Sequence, residues 1–231
     1  MKTKTIGILG GMGPQASLEF YRRLIDLSIE RCGADSNKSF PHMLLSNLPV
    51  PDWISDTTYQ REAVDMAVEE LKILEKAGAD FTVLTCNTMH LFTDEYRAAL
   101  KIPFLSMIDC VVEAVQVQGI TKVGLLGSAS LLRSTLYQNP LAEQGISTLI
   151  PQEEAFESIA QVTKRIIAGT FSLEDKSYLL DQIERLKGKG AQGLILGCTE
   201  LPLVLSSQDI DIALFSSLHI LAERACEALY A

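Results

Sequence analysis

The feature that most constrains this chain is an internal echo. Leu84-Thr85-Cys86-Asn87-Thr88-Met89-His90 returns in weaker form as Leu196-Gly197-Cys198-Thr199-Glu200-Leu201-Pro202. Similar runs precede the two copies, Gly78-Ala79-Asp80-Phe81-Thr82-Val83 and Gly190-Ala191-Gln192-Gly193-Leu194-Ile195. Each copy therefore reads as a glycine-ended helix, a short buried strand and a cysteine at the C-terminal end of that strand. Thr5-Ile6-Gly7-Ile8-Leu9-Gly10 is likewise echoed by Lys122-Val123-Gly124-Leu125-Leu126-Gly127, and each cysteine follows its glycine at a nearly equal distance. The chain reads as two related halves, each presenting one cysteine at the same place.

The 231 residues leave room for two half-domains of about 100 residues each. The expected division is 1–101 plus 208–231 for the first and 102–207 for the second. Strands are expected at Lys4 to Leu9, His42 to Ser46, Asp80 to Thr85, Lys122 to Leu126, before Cys198 and at Asp211 to Phe215, with a crossover strand at Ile102 to Leu105. Helices are expected after Pro14 to about Arg31, from Thr58 to Lys76 behind the capping residues Asp56, Thr57 and Thr58, and over Asp109 to Gln118. Beyond Gly127-Ser128 the pattern predicts helix through Gly145 with a break near Pro140. Amphipathic helices then cover Glu153 to Ala168 and Leu173 to Lys187, and a closing helix, Leu218 to Tyr230, packs back on the first half. Alternating strands and helices imply an α/β protein with mostly parallel sheets, whose ligands bind at the C-terminal strand ends. The two halves are expected to face each other about a pseudo-twofold axis across one cleft.

Charge and cysteine usage exclude several classes of function. A net charge of −9 disfavours nucleic acid and anionic membranes as partners. The N-terminal apolar run ends at Leu9, too short for a signal peptide or a spanning helix, so the protein is expected in the cytoplasm. Five cysteines (Cys32, Cys86, Cys110, Cys198 and Cys226) show no CxxC pair and no zinc-type spacing, so reduced thiols and no metal are expected. Gly10-Gly11-Met12-Gly13-Pro14 opens a helix, with Pro14 at its first position; it is either an anion-receiving loop or a tight turn. It does not have the G-x-G-x-x-G order of a dinucleotide site.

If Cys86 and Cys198 meet across one cleft, one chemistry fits them well. A stereocentre with an acidic C–H is inverted when a thiolate removes the proton from one face and a thiol delivers another from the opposite face. Helix N-termini near a thiol would raise its thiolate fraction. Asn87, Thr88 and Thr199 offer donors for a substrate carboxylate. His90, four residues after Cys86, either hydrogen-bonds near the site or packs. Glu200 either tunes Cys198 or serves a helix N-terminus.

Taken together, Gly10-Gly11-Met12-Gly13-Pro14, Cys86-Asn87-Thr88-Met89-His90 and Gly197-Cys198-Thr199-Glu200-Leu201-Pro202 resemble the aspartate/glutamate racemase family of amino-acid racemases that work without pyridoxal phosphate. The resemblance implies a Cys86/Cys198 catalytic pair, no metal or cofactor, and a homodimer. It places Met12, Asn87, Thr88, Thr199 and Ser128 around the amino-acid carboxylate. Glu200 stands where glutamate racemases usually carry histidine, nearer the aspartate racemase branch. By the same resemblance Trp53 and Ile167 stand where an arginine and a lysine would hold a side-chain carboxylate, with Lys164 or Arg165 able to substitute from one turn earlier. Aspartate or glutamate is the substrate the family implies. The alternatives are broad or non-acidic specificity, a hydantoin racemase or maleate isomerase, a small-ligand-binding protein without catalysis, and a nicotinamide oxidoreductase.

Overall fold

The computed structural model describes residues 3–51 and 58–231. The chain builds two parallel sheets. The first has the order β2-β1-β3, from β1 (Thr5–Gly10), β2 (His42–Asn47) and β3 (Phe81–Leu84). The second has the order β5-β4-β6-β7, from β4 (Lys122–Leu126), β5 (Ser147–Leu149), β6 (Gly193–Leu196) and β7 (Ala213–Ser216). The order 2-1-3 is repeated as 5-4-6, so the echo in the sequence is an echo in topology, with β7 added at one edge. Residues 81–84 and 193–196 are buried throughout, as parallel strands with helices on both faces require.

Helices fill the crossovers: α1 (Pro14–Cys32) and α2 (Gln60–Lys76) in the first half, then α3 (Thr93–Ala99) and α4 (Met107–Val117). The second half carries α5 (Ala129–Arg133), α6 (Gln138–Glu143), α7 (Phe156–Ile167) and α8 (Leu173–Gly188). Ser172 and Asp175 close a reciprocal capping box at the start of α8. The last helix, α9 (Ser217–Tyr230), buries Leu218, Leu221, Ala222, Ala225 and Leu229 at helical spacing. These join Phe20, Leu24 and Leu27 of α1 in one apolar cluster, and Lys4 N–H donates to the Leu229 carbonyl at 3.0 Å. The closing helix therefore packs on the first half.

Several sequence expectations change. β7 pairs with β6, and Ile210 and Phe215 lie in the second core, so the chain returns to the first half at α9 and not at residue 208. Ile102 to Leu105 forms a single parallel bridge at Phe104 and not a strand, because Pro103 has no N–H to extend the ladder. Ser106 caps α4 by accepting from Asp109 N–H, which starts that helix at Met107. The helix expected up to Gly145 is interrupted over 134–137, ahead of Pro140, which sits in the first turn of α6 where its missing N–H costs nothing. β5 follows it, an unanticipated strand. α2 begins at Gln60 with Tyr59 at its cap position. The expected caps Asp56 and Thr57, and Trp53, lie outside the described residues.

Candidate active site

Four strand ends converge on one cleft. The loops after β1, β3, β4 and β6 supply Gly11, Met12 and Gly13; Cys86, Thr88 and Met89; Ser128; and Cys198 with Glu200. They enclose a cavity of about 290 Å³, small for a ligand pocket (~300–1,000 Å³). Each cysteine is two residues past the end of its strand, at 84 and 196, so the repeated geometry brings both to the same cavity wall. Cys198 is buried, whereas Cys86 keeps partial access to the cleft.

The glycine turn is shaped by close approach. A Cβ on Gly10 would lie 2.4 Å from the Ser17 hydroxyl, and one on Gly11, at φ +98°, would lie 2.4 Å from the Leu48 carbonyl oxygen. Ser17 accepts from Gly11 N–H at 3.0 Å and donates back to the loop or to Thr85. The turn does receive an anion, and that anion is the protein's own: Gly13 N–H donates to Glu200 Oε1 at 3.1 Å across the cleft. The second Glu200 oxygen, Oε2, accepts from Cys198 Sγ at 2.9 Å and from Thr199 Oγ1 at 3.2 Å.

The two thiols are held differently. Burial, with the charge of Glu200 adding to it, pushes the Cys86 thiol up to about 12, opposed by the backbone N–H groups of Met89 and Thr88, which favour its thiolate. Burial pushes Cys198 well above the ordinary thiol range, and the charge of Glu200 and its hydrogen bond both add to the rise. The expected lowering by helix N-termini is therefore present at Cys86 and outweighed, because desolvation of a charge exceeds two amide hydrogen bonds.

The remaining sequence candidates divide into those that face the cleft and those that brace it. Thr88 Oγ1 and Ser128 Oγ lie 3.0 Å apart across the two halves, and Ser128 also caps α5 by accepting from Leu131 N–H. Asn87 does not line the cavity: its Nδ2 donates to Ser217 Oγ at 2.8 Å and its Oδ1 accepts from Tyr137 OH at 2.6 Å. Ser217 in turn donates to the Leu196 carbonyl, so Asn87 ties the first half to β6, to Tyr137 just before α6, and to α9. Thr199 is likewise buried and directed onto Glu200.

His90 is a brace. Its Nδ1–H donates to the Cys86 carbonyl at 2.8 Å and its Nε2 accepts from Met107 N–H at 3.1 Å. A carbonyl only accepts and an amide only donates, so both partners require the neutral Nδ1–H tautomer. Burial lowers its pKa to about 4, which keeps it neutral at pH 7. Ile167 lines the cleft, and Gln15 Nε2 donates to its carbonyl at 2.7 Å, joining α1 to α7. Arg165 does not reach in: its guanidinium meets both carboxylate oxygens of Asp175. Lys164 is exposed and is not part of the lining. Tyr137, Ser217 and Gln15 carry no local motif, because each acts through a contact far away in sequence.

Two α/β halves facing across a cleft, with one cysteine from each at equivalent strand ends, define a pseudo-symmetric isomerase architecture. The family model for Asp/Glu/Hydantoin racemase matches residues 9–225. The chain belongs to that family and is a racemase-type isomerase. It is 28% identical over 222 residues to the broad specificity amino-acid racemase RacX of Bacillus subtilis (strain 168), covering 94% of this chain and 95% of that one. Its structure is similar to that of an aspartate racemase homologue from Pyrococcus horikoshii OT3, with a TM-score of 0.82 at 28% identity and all of both chains covered. It is also similar to Picrophilus torridus aspartate racemase, with a TM-score of 0.77 at 26% identity, covering 97% of this chain and 94% of that one. Among the described residues, no helix is long and apolar enough to cross a membrane.

Proposed function

We propose that this protein racemises a free α-amino acid without a cofactor, by a two-base mechanism on Cys86 and Cys198. The observation that carries this reading is the placement of the two cysteines at equivalent strand ends of one cavity. One thiolate takes the α-proton, and the bonding electrons pass into the substrate carboxylate as an enolate. The opposite thiol protonates the other face, leaving the roles of the two sulfurs exchanged. Both thiols are raised by burial and by the Glu200 charge. Cys86 has two backbone N–H groups, of Met89 and Thr88, favouring its thiolate, whereas Cys198 has one, of Glu200, and a Glu200 side-chain hydrogen bond that favours the thiol. We therefore assign Cys86 as the base and Cys198 as the acid of the free enzyme. A substrate ammonium entering the cleft brings the positive charge that makes a thiolate there less costly.

Met12, Thr88 and Ser128 are the side chains assigned to contact substrate, and Asn87, Thr199, His90 and Glu200 position them. The working units are the two half-domains, with α9 belonging to the first. A stripe of exposed Leu18, Tyr21 and Ile29 along α1 supports assembly as a homodimer, and we place the protein in the cytoplasm.

The test is α-proton exchange in D₂O with a panel of L-amino acids and no added cofactor, followed by chiral chromatography. Loss of the α-proton with appearance of the D-enantiomer supports the reading. Cys86→Ser and Cys198→Ser should each lower racemisation by about 10²–10⁴-fold while leaving the fold intact. Full activity in either variant would remove the two-base mechanism. Light scattering on the same sample reads the assembly state.

A further inference from the structure

We propose that the substrate of this cleft is an α-amino acid with an uncharged side chain, in preference to aspartate or glutamate; this rests on the racemase reading above. Apart from the cysteines, the glycine turn and the polar Thr88, Ser128 and Glu200, the walls include Met12, Pro49, Val50 and Pro51 from the first half and Ile167 and Thr163 from α7. Five of the six are apolar. The Thr163 hydroxyl already donates to the Ile159 carbonyl at 3.0 Å, so it offers a ligand an acceptor and no donor.

The charged groups point the same way. Among the described lining residues the one charged side chain is Glu200, a carboxylate. Its two oxygens are engaged by three donors, from Gly13, Cys198 and Thr199. A substrate side-chain carboxylate placed in this cavity would lose its hydration, meet no cation among the described lining residues and be repelled by Glu200.

Arg165 of α7 and Arg133 of α5 are engaged elsewhere. Arg165 is paired with Asp175, and Arg133 lies over the Phe156 ring, 5.7 Å from its centroid, and 3.7 Å from Glu153. Residues 52–57, outside the described set, include Asp52 and Asp56 and no lysine or arginine. A basic side chain would be drawn to Glu200, but three of that carboxylate's roughly four acceptor sites are taken by Gly13, Cys198 and Thr199, so pairing with it disturbs contacts that bind the two halves. What the walls can match by area and shape is an aliphatic, thioether or amide side chain of modest size.

Isosteric pairs isolate charge from shape. The full chain is assayed by α-proton exchange and chiral chromatography on glutamine against glutamate, asparagine against aspartate, and methionine against lysine. Calorimetric binding of the same six compounds to the Cys86→Ser variant gives a ranking independent of turnover. The expected result is that the uncharged member of each pair exceeds the charged one by at least about tenfold in kcat/KM and in affinity. Glutamate or aspartate equalling its amide, or lysine exceeding methionine, would overturn the proposal. If no compound exchanges, the racemase reading falls, and the binding ranking still decides the side-chain class. Ile167→Lys, which installs a cation on the wall, should raise glutamate relative to glutamine by at least about tenfold. An unchanged ratio would contradict the assignment of that wall to the side chain.

Discussion

Cys198 donates to Glu200 through a buried contact of 2.9 Å, and the same carboxylate takes the Gly13 amide from the opposite half. One acidic side chain therefore both keeps the proton on a cysteine and binds the glycine turn across the cleft. The two thiols of a pseudo-symmetric site are made unequal by it.

Glu200→Gln removes the charge while keeping an oxygen for Gly13. The Cys198 thiolate then loses its anionic neighbour and can gain a donor amide. In the wild type, alkylation by iodoacetamide at pH 8 should label Cys86 ahead of Cys198. In the variant, Cys198 labelling should accelerate by about tenfold or more, read by peptide mass spectrometry.

The pH dependence of kcat/KM follows from the raised thiols. On the proposed mechanism Cys86 works as thiolate, and burial keeps its proton on until toward pH 12. Activity should therefore climb by about tenfold per unit from pH 7 to 9. Cys198, the proposed acid, is held as a thiol more strongly still, so no falling limb is expected over that range. A plateau beginning below pH 8 would show that the free enzyme already holds a thiolate.

Tyr137→Phe tests the brace behind Cys86. The ring stays the same size, but the Asn87 oxygen loses its 2.6 Å partner inside the core. Stability should fall by about 1–3 kcal/mol, read by urea denaturation, and kcat should fall because Asn87 adjoins the base.

His90 makes stability depend on acid. Its folded pKa is lowered from 6.5 to about 4, so the unfolded chain binds a proton that the folded chain refuses. The contribution is whole above pH 6.5 and is lost as pH falls from there to about 4, roughly 3 kcal/mol in all. His90→Gln should flatten that part of the stability profile. An unchanged slope between pH 6.5 and 4 would mean that other groups produce it.

Much of this was legible in the chain. The echoed cysteine segments located both thiols and the pairing of the halves, because a strand end is a local event written in consecutive residues. β5 was missed as a lone three-residue pattern, Ser147-Thr148-Leu149, although the repeat itself offers the signal: β2 must have a counterpart beside β4. The roles of Asn87 and Thr199 were misplaced for a different reason. Both sit beside a cysteine in sequence, yet the direction of a side chain is decided by what packs against it, here Tyr137 and Ser217 for Asn87 and Glu200 for Thr199. Glu200's reach to Gly13, 187 residues away, has no local trace.

The chain passes between the halves at two points, just before α4 and at the start of α9, and the Cys86 loop holds both. His90 receives Met107 N–H at one crossing, and Asn87 grips Ser217 at the other. Cys86 is thereby fastened to the seam at which the chain crosses. Away from that seam the halves are tied by the Gly13 amide on Glu200 and by the Gln15 side chain on the Ile167 carbonyl. One cysteine is anchored where the covalent chain itself joins the halves, the other where hydrogen bonds alone span the opening.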